Sequence, residues 1–337
     1  MGNIEIIRNI DGVAAACEPI AVALGLFDGM HLGHVKVIKA AREIAEKNGL
    51  LSAVLTFTKN PLSLIAPDRE PSRLITEEQK IELISALGID RVFNVPFSKD
   101  FMNILAEEYV RDVLASRLHA AHIVTGPDHR FGARARGDAA LLRTLGVELS
   151  IGITIVEAVK VDGMEVSSTA IRSLLGEGLA EDAAAMLGRP YSMSGQIVKG
   201  KQLGKTLGAP TANILPDPGM TIPKPGVYVT EVIIGDSAST ERPAMTNDRT
   251  NPAAWDADVP TRLPAVTNVG MNPTVGGKSI TVESHIIGFD ANIYGKCLTV
   301  DFLSMIRGEK KYAGLDELKR GIHADIDTAT SWFIARC

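Results

Sequence analysis

The chain has 337 residues, of which 45% are hydrophobic and 22% are charged, so it is long enough for two globular domains. Its 40 Asp and Glu residues outnumber its 35 Lys and Arg residues, which argues against a polynucleotide partner. No apolar stretch reaches the ~20 residues that a membrane span needs. The first residues lack the apolar core of a signal peptide, and three dispersed cysteines fit neither a disulfide framework nor a metal cluster. We therefore expect a soluble, cytoplasmic protein that binds neither nucleic acid nor membranes.

The first half of the chain has an α/β pattern. Between residues 20 and 160, short runs rich in β-branched residues alternate with helical patterns, which is typical of a parallel sheet with crossover helices. Strands are predicted at 20–25, 53–57, 91–95, 121–125 and 153–159. Thr76 and Gln79 have the spacing of a capping box and predict the start of a helix. We expect a Rossmann-like domain.

The second half changes character after residue 187, because Gly and Pro become frequent and helical periodicity disappears until the C-terminus. We therefore predict two domains, residues 1–186 and 187–337. Strands of a small antiparallel β-barrel or sandwich are predicted at 194–198, 226–234, 265–269, 280–287 and 297–303. A final helix is predicted, with Leu315, Leu318, Ile322, Ile326, Ala329 and Phe333 on one face. Residues 235–263 are polar and rich in Pro, and we interpret them as an inserted surface loop.

The motif GLFDGMHLGH, from Gly25 to His34, lies between the first predicted strand and the first predicted helix. Ligands of open α/β sheets bind at this position. His31 and His34 share one side of the helix start, where free N–H groups attract phosphate and imidazoles can donate hydrogen bonds to a leaving pyrophosphate. Gly33 lets a phosphate approach the backbone. A polar helix start without a ligand is the alternative interpretation.

Two further segments of the first half can contribute to an anion site. The segment VSSTAIR opens another helix, and its hydroxyls and Arg172 can bind phosphate oxygens, although helix capping explains its Ser and Thr equally well. The segment GPDHRFG follows the strand that ends at Thr125 and is expected at the rim of the same site.

The second half contains the glycine-rich, basic segment GKQLGKTLG at residues 200–208. Glycines let backbone N–H groups close around phosphates, and Lys201 and Lys205 add positive charge, although a purely structural hairpin is the alternative. Thr211 and Asn213 follow, and their oxygens are suitable ligands for Mg²⁺ that bridges ATP phosphates. Glu283 lies in a predicted strand, where it could be a general base for a hydroxyl nucleophile or a solvated surface residue.

These motifs occur in a fixed order with PSRLITEEQK, LGRPY, PKPGVY, AVTNVGMNPT, NIYGK and FLSMIRGEKKY. Their order and spacing resemble the bacterial bifunctional riboflavin kinase/FMN adenylyltransferases, also called FAD synthetases, over nearly the whole chain apart from residues 235–263. The resemblance implies a nucleotidyltransferase domain of HIGH type followed by a riboflavin kinase barrel with a C-terminal helix. It also implies a transferase that uses ATP and Mg²⁺ to convert riboflavin to FMN and FMN to FAD, with release of pyrophosphate in the second reaction.

The resemblance also assigns residues in the first domain. His31 and His34 are the expected catalytic residues, and Asp128, Phe131 and Gly132 are expected on the flavin side of the site. The residues expected to bind the nucleotide are Gly25, Phe27, Asp28, Gly33, Ser167, Ser168, Thr169 and Arg172.

In the second domain, Glu283 is the expected general base, Thr211 and Asn213 are the expected metal ligands, and Asn268 and Arg307 are expected to shape the flavin pocket. The residues expected to bind ATP there are Gly200, Lys201, Gly204, Lys205 and Gly208.

Four residues depart from the family pattern. Asn60 stands where the family has the His of a Pro-His-Pro motif, so one imidazole is missing from the first cleft. Ala170 replaces an Arg, and Lys205 and Ala209 replace an Arg and a Phe near the kinase loop. The alternatives are therefore a riboflavin kinase with an inactive N-terminal domain and a non-catalytic flavin or nucleotide sensor. The oligomeric state is not predicted.

Overall fold

A computed structural model describes residues 4–10, 18–199, 204, 207–235, 262–274 and 277–336. The chain folds into two compact units. The first comprises Met1–Ser72 and Thr76–Ser167, and the second comprises Arg73–Ile75 and Ser168–Cys337. The units therefore divide the chain at Ser168, whereas the sequence places the domain boundary near residue 187.

The first unit contains a six-stranded sheet in which every pair of neighbouring strands is parallel. Its strands are β1 (Glu5–Ile7), β2 (Ile20–Leu24), β3 (Leu51–Phe57), β4 (Arg91–Val95), β5 (Ala120–Thr125) and β6 (Gly152–Ile155). The Rossmann-like sheet is confirmed, and each predicted strand is present, although the strand predicted at 153–159 ends at Ile155. The short strand β1 was not predicted, because three residues at a polar edge carry no clear alternation of side chains.

Helices and short turns cover this sheet. They are α1 (Leu32–Asn48), α2 (Leu62–Ile65), α3 (Glu77–Ser85), α4 (Lys99–Asn103), α5 (Ala106–Glu108), a π-helical segment (Tyr109–Arg117) and α6 (Ala139–Leu149). The small hairpin of β7 (Lys160–Val161) and β8 (Met164–Glu165) follows. The capping box is confirmed at the start of α3, where the Thr76 hydroxyl accepts from Gln79 N at 3.2 Å and the Gln79 side chain accepts from Thr76 N at 3.0 Å.

The strand order β1-β4-β3-β2-β5-β6 places β2 between β3 and β5. The chain runs from β2 to β3 on one side and later returns to β5 on the other, so the sheet reverses its direction of growth at β2. Ligands of open parallel sheets bind beyond the carboxyl ends of the strands at such a point. The segments that follow β2 and β5 therefore occupy the expected ligand-binding edge.

The main segment of the second unit begins with α7 (Ser168–Glu177) and α8 (Ala180–Leu187). A closed antiparallel barrel follows, with the strand order β10-β13-β12-β11-β14-β9. Of the two predicted architectures, barrel and sandwich, the barrel is therefore confirmed. Its strands are β9 (Tyr191–Val198), β10 (Ala212–Pro216), β11 (Gly226–Gly235), β12 (Leu263–Thr274), β13 (Gly277–Ile286) and β14 (Cys297–Gly308). Most of the predicted insert, residues 236–261, lies outside the described residues.

The C-terminal helix α9 (Leu315–Ile334) packs on the outside of the barrel. Ala329 is fully buried in a cluster with Val227, Val229 and Val266. The predicted C-terminal helix is confirmed, and Leu315, the first residue of its predicted apolar face, is 61% exposed at the helix start. The buried side of the helix also contains the charged residue Asp325, which an apolar pattern cannot identify.

The two helices α7 and α8 are part of the second unit, and α8 packs against β9 and β14. Leu174, Leu175, Ala183 and Met186 are buried in these helices. A fragment that starts at Ser168 should therefore unfold at a temperature at least about 5 °C higher than a fragment that starts at Leu187, since several buried apolar side chains are lost.

Thermal unfolding followed by circular dichroism measures the difference. Both fragments lack Arg73–Ile75, so the comparison reports on the two helices alone. Equal unfolding temperatures would show that α7 and α8 contribute nothing to the stability of the barrel.

Candidate active sites

The turn between β2 and α1 is held from two neighbouring strands. Gly25 N donates to Leu55 O of β3 at 3.3 Å, and the Thr56 hydroxyl donates to Leu26 O at 3.1 Å. From the other side, the hydroxyl of Thr125 in β5 donates to the carbonyl of Leu24 at 3.3 Å. The first predicted motif is therefore fixed at the carboxyl edge of the sheet.

This turn has an unusual backbone. Phe27 and Met30 have φ angles of 54° and 42°, a region that residues with a side chain rarely adopt. Both side chains are buried, with 1% exposure each. Such conformations cost free energy and persist only where the surrounding structure enforces them, and they are concentrated at functional sites. Asp28 lies between these two residues.

The two histidines meet at the start of α1. His31 is the N-cap, and its Nδ1 accepts from His34 N at 3.3 Å. The two imidazole rings are stacked, with centroids 3.5 Å apart, and the Phe27 and His34 rings are nearly perpendicular, with centroids 5.3 Å apart. Because Nδ1 of His31 is an acceptor here, its ring proton lies on Nε2 in the neutral form. A Cβ at Gly33 would approach the His31 ring to 3.2 Å, so glycine makes room for this imidazole.

The segment after β5 contains the three residues predicted for a flavin. Asp128 is exposed and Phe131 is buried. Phe131 is held by backbone hydrogen bonds in both directions with Gly137, at 3.2 and 2.9 Å. Gly132 precedes a 3₁₀ turn, Ala133–Ala135.

An aromatic wall lies next to Phe131 in the first unit. We define it as Phe57, Phe97, Phe101, Tyr109 and Phe131, whose neighbouring ring centroids are 5.2–5.8 Å apart. Its first three members are only partly buried. Burial raises the pKa of the Tyr109 phenol far above its usual range, which keeps this ring neutral. The wall offers an apolar surface on which a flat ring system can stack.

The start of α7 carries the second phosphate-binding segment. The helix begins at Ser168, and the Thr169 side chain is exposed in its first turn. Arg172 lies one turn further along and is half-buried. The division between the two compact units falls between Ser167 and Ser168.

In the barrel, strand pairing brings the predicted kinase residues into one row. Asn213 of β10 is directly opposite Glu283 of β13, and Glu283 is directly opposite Asn268 of β12. Residues directly opposite each other on paired strands point to the same face of the sheet. Asn268 is in turn opposite Val227 of β11, and Val227 is opposite Arg307 of β14. Four predicted residues, from four strands, therefore share one face.

The approach to this row is tightly packed. A Cβ at Gly204 would lie 2.4 Å from Ala209 O and 3.3 Å from Thr211 Oγ1, so only glycine fits there. Gly204 O accepts from Leu207 N at 3.1 Å and from Ala209 N at 2.9 Å. Gly208 follows in a turn with a positive φ of 82°. Gly200, Lys201 and Lys205, also predicted to bind ATP, lie outside the described residues.

Arg307 forms a two-pronged ion pair with Asp325 of α9. Its Nε donates to Oδ1 at 2.9 Å, and its terminal nitrogen donates to Oδ2 at 2.7 Å. The guanidinium also lies 5.7 Å from the centre of the Tyr312 ring, in the loop that follows β14. Arg307 therefore anchors α9 to the end of the row.

Comparison with known proteins gives a consistent family for both units. A family model described as FAD synthetase matches residues 14–170, and one described as riboflavin kinase matches residues 187–333. A bifunctional riboflavin kinase/FMN adenylyltransferase of Escherichia coli K12 is 33% identical over 98% of this chain and 98% of its own length. The chain belongs to the bifunctional riboflavin kinase/FMN adenylyltransferase family.

Other relatives agree across the same length. The Bacillus subtilis member is 31% identical over 93% of this chain and 92% of its own. A crystal structure titled macrolide-efflux protein from Streptococcus pneumoniae has a TM-score of 0.79 and 27% identity, and covers 97% of this chain and 98% of its own. In the described part of this chain, no helix is long and apolar enough to cross a membrane.

Three residues near these sites were not assigned from the sequence. His129 lies in the flavin segment, Lys80 lies on α3, and His285 Nδ1 bonds to Pro210 O at 2.9 Å, just before Thr211. His129 and Lys80 belong to motifs that carry the family resemblance. His285 could have been noticed from its position two residues after Glu283, on the same face of a predicted strand. Nothing in the local sequence indicates that Lys80 is buried.

His129 should remain neutral at physiological pH. Its Nε2 is shielded from solvent and has no hydrogen-bond partner among the described residues, and burial lowers the pKa of its imidazole to about 4. The His129 imidazole resonance is assigned in NMR spectra as the one that disappears in His129→Gln. In the wild-type protein, we expect this resonance to show no titration between about pH 8 and pH 5. A midpoint near the ordinary value of about 6.5 would contradict this environment.

Proposed function

We propose that the second unit phosphorylates riboflavin and that the first unit transfers an adenylyl group from ATP to the FMN that results. The observation that supports this division most strongly is that the turn Gly25–His34 lies wholly in the first unit, whereas the row of Asn213, Glu283, Asn268 and Arg307 lies wholly in the second. ATP and the flavins are the substrates, and we place the reactions in the cytoplasm. No partner other than these small molecules is needed for the chemistry.

In the proposed kinase site, Glu283 is the general base. Its carboxylate accepts the proton of the ribityl hydroxyl while that oxygen attacks the γ-phosphorus of ATP, and ADP leaves. Asn268, on the next strand of the same row, is placed to hold the flavin. Arg307 contributes by fixing α9 beside the row through Asp325, so its role in the flavin pocket is partly structural.

The residues expected to hold Mg²⁺ provide a fitting set of hard oxygens. Thr211 and Asn213 supply neutral oxygens, and the Glu283 carboxylate is directly across the strand pair from Asn213. No cluster of three or more His, Cys, Asp or Glu side chains that could hold a metal is found in the described ranges. Because Thr211 and Asn213 offer only two neutral oxygens, they suit a cation that takes most of its ligands from phosphates and water. When bound, Mg²⁺ would neutralise phosphate charge.

In the proposed adenylylation site, His31 and His34 stabilise the leaving pyrophosphate. A phosphate oxygen of FMN attacks the α-phosphorus of ATP, and the bond between the α-phosphorus and the bridging oxygen breaks. Nε2 of His31 donates a hydrogen bond to the charge that develops on the leaving group. Gly25, Phe27, Asp28 and Gly33 shape the turn around the nucleotide. Ser167, at the end of the first unit, is proposed to bind a phosphate oxygen. Ser168, Thr169 and Arg172 open the second unit and stay predictions of the family resemblance.

The flavin of the first unit is proposed to stack on the aromatic wall. Phe131 is already a member of this wall, and Asp128 and Gly132 flank it in sequence. The partly exposed rings can bury the apolar faces of the isoalloxazine, while the exposed Asp128 meets polar groups. This surface is the main support for FMN as the acceptor in this unit.

The second candidate function is a kinase without adenylyl transfer, and Asn60 is the reason to consider it. The Asn60 side-chain oxygen accepts from Leu62 N at 2.9 Å at the start of α2. A histidine could accept this hydrogen bond through Nδ1 and would still have Nε2 free to contact a ligand. Asparagine preserves the hydrogen bond but has no imidazole. Incubation with riboflavin, ATP and Mg²⁺, followed by separation of products, distinguishes the candidates. FMN alone supports the kinase, and no product supports a sensor.

His31→Asn tests the first site. Asparagine is a good N-cap and preserves α1, but it removes the Nε2 donor, so FAD formation from supplied FMN should fall roughly 10²-fold while riboflavin phosphorylation is unchanged. His31→Ala should cause the same loss and additionally lower stability through loss of the cap. Both rates are measured on one preparation.

The matched control is His122→Ala, because His122 lies within β5, where its Nε2 meets Thr154 Oγ1 at 2.9 Å. It should retain both activities. An equal fall of both activities in His31→Asn would contradict a role confined to adenylyl transfer.

Glu283→Gln tests the second site. Glutamine keeps the size and hydrogen-bonding capacity of the side chain but cannot accept the proton, so riboflavin phosphorylation should fall about 10²- to 10⁴-fold with little change in riboflavin affinity. FAD formation from added FMN should persist, because its phosphate nucleophile is already ionised.

Asp290→Asn makes the same chemical change at an exposed residue after β13 and should leave both rates intact. Near-normal FMN production by Glu283→Gln would rule out the base assignment.

A further inference from the structure

Lys80 is a buried lysine on α3, with 7% exposure. Its ammonium donates to Phe57 O at 2.5 Å and meets Thr56 Oγ1 at 3.3 Å, both at the carboxyl end of β3. Burying an ammonium is costly unless its hydrogen bonds and nearby charges compensate. A lysine at this edge of the sheet is therefore an unusual choice if it serves stability alone.

The contacts of Lys80 lead directly to the strained turn. Thr56 Oγ1, which receives the lysine hydrogen bond, donates its own proton to Leu26 O at 3.1 Å. Leu26 is followed by Phe27, the first of the two residues with a positive φ. The ammonium thus orients the Thr56 hydroxyl as a donor toward the turn, because the hydroxyl oxygen accepts from lysine on its other side.

Two acidic groups face the ammonium. Glu77 lies on the same helix, and Asp28 lies in the turn itself. Glu77 also accepts from Asn94 Nδ2 at 2.8 Å and forms an ion pair with Arg8, so its charge is shared among three partners. The attraction between Lys80 and Asp28 joins α3 to the turn between Phe27 and Met30.

We propose that Lys80 is a positioning residue for adenylyl transfer, which holds the turn Gly25–Met30 in its strained form through Thr56 and through its charge opposite Asp28. The reason is that this turn leads into His31, so a relaxed turn displaces the imidazole from the leaving group. Displacements of about 1 Å at a reacting centre can cost on the order of 10²-fold in rate. The inference rests on the adenylyl transfer proposed for the first unit.

Protonation of Lys80 supplies a readout that a purely structural residue lacks. Burial lowers the pKa of its ammonium from about 10.5 to about 8, although Glu77 and Asp28 both favour the charged form. Lys80 is charged below this pKa and neutral above it, so the turn loses its cationic anchor as the pH rises through about 8. The wild-type rate of FAD formation should therefore fall over this interval.

The experiment compares wild type, Lys80→Met and Lys80→Arg as full-length proteins. FAD formation from FMN and ATP is measured across pH, and riboflavin phosphorylation is measured on each sample as the internal control. Methionine keeps the length without the charge and should lower the FAD rate at least about 10-fold at pH 7, without a further fall near pH 8. Arginine remains protonated and should restore most of the rate and abolish the alkaline fall.

Lys47→Met removes an exposed lysine from the last turn of α1 and should behave as wild type. The proposal is overturned if Lys80→Met retains the wild-type rate, or if the alkaline fall persists in Lys80→Arg. It is also overturned if both activities fall equally in both Lys80 variants. A wild-type protein that makes no FAD from FMN would instead contradict the proposed function of the first unit.

Discussion

The register of β13 against its two neighbours determines which side chains of the barrel share a face. Glu283 is directly opposite Asn213 on one side and Asn268 on the other. Because side chains alternate along a strand, a slip of one residue in either pairing would send Glu283 to the opposite face from its neighbours. Val282 and Ser284, on either side of Glu283, are fully buried in the barrel. A slip of one residue would move both out of the interior, so their burial opposes it. The proposed chemistry of the kinase site thus depends on the packing of the barrel interior.

In the first unit, the candidate site residues are positioned by a strained turn, whereas in the barrel they are positioned by the register of paired strands. Three hydrogen bonds to residues of β3 and β5 hold the end of β2 and the start of the turn. They involve Leu24, Gly25 and Leu26. The strain at Phe27 is therefore sustained by bonds that the sheet supplies, and it aims the start of α1 at the ligand-binding edge. In both units, a rigid sheet positions the candidate side chains. Strand pairing does so in the barrel, whereas one backbone and two threonine hydroxyl hydrogen bonds do so in the first unit.

The fold was largely predictable because its signals are local. β-Branched runs marked the parallel strands, and the capping box at Thr76 marked the start of α3. Contacts between distant segments were not predictable. The strand β10 is short and ends at Pro216, so its pairing with β13 could not be read from alternation. The ion pair of Arg307 with Asp325 and the burial of Lys80 likewise arise only when separate elements pack together, since no periodic pattern encodes a single buried charge.

The central claim is that one chain holds two separate nucleotide sites, one in each compact unit. The most direct measurement is the number of non-hydrolysable ATP analogue molecules that one full-length chain binds in equilibrium dialysis with saturating Mg²⁺ and FMN. The account predicts two molecules per chain. A single molecule per chain, with no second site at higher analogue concentration, would contradict it.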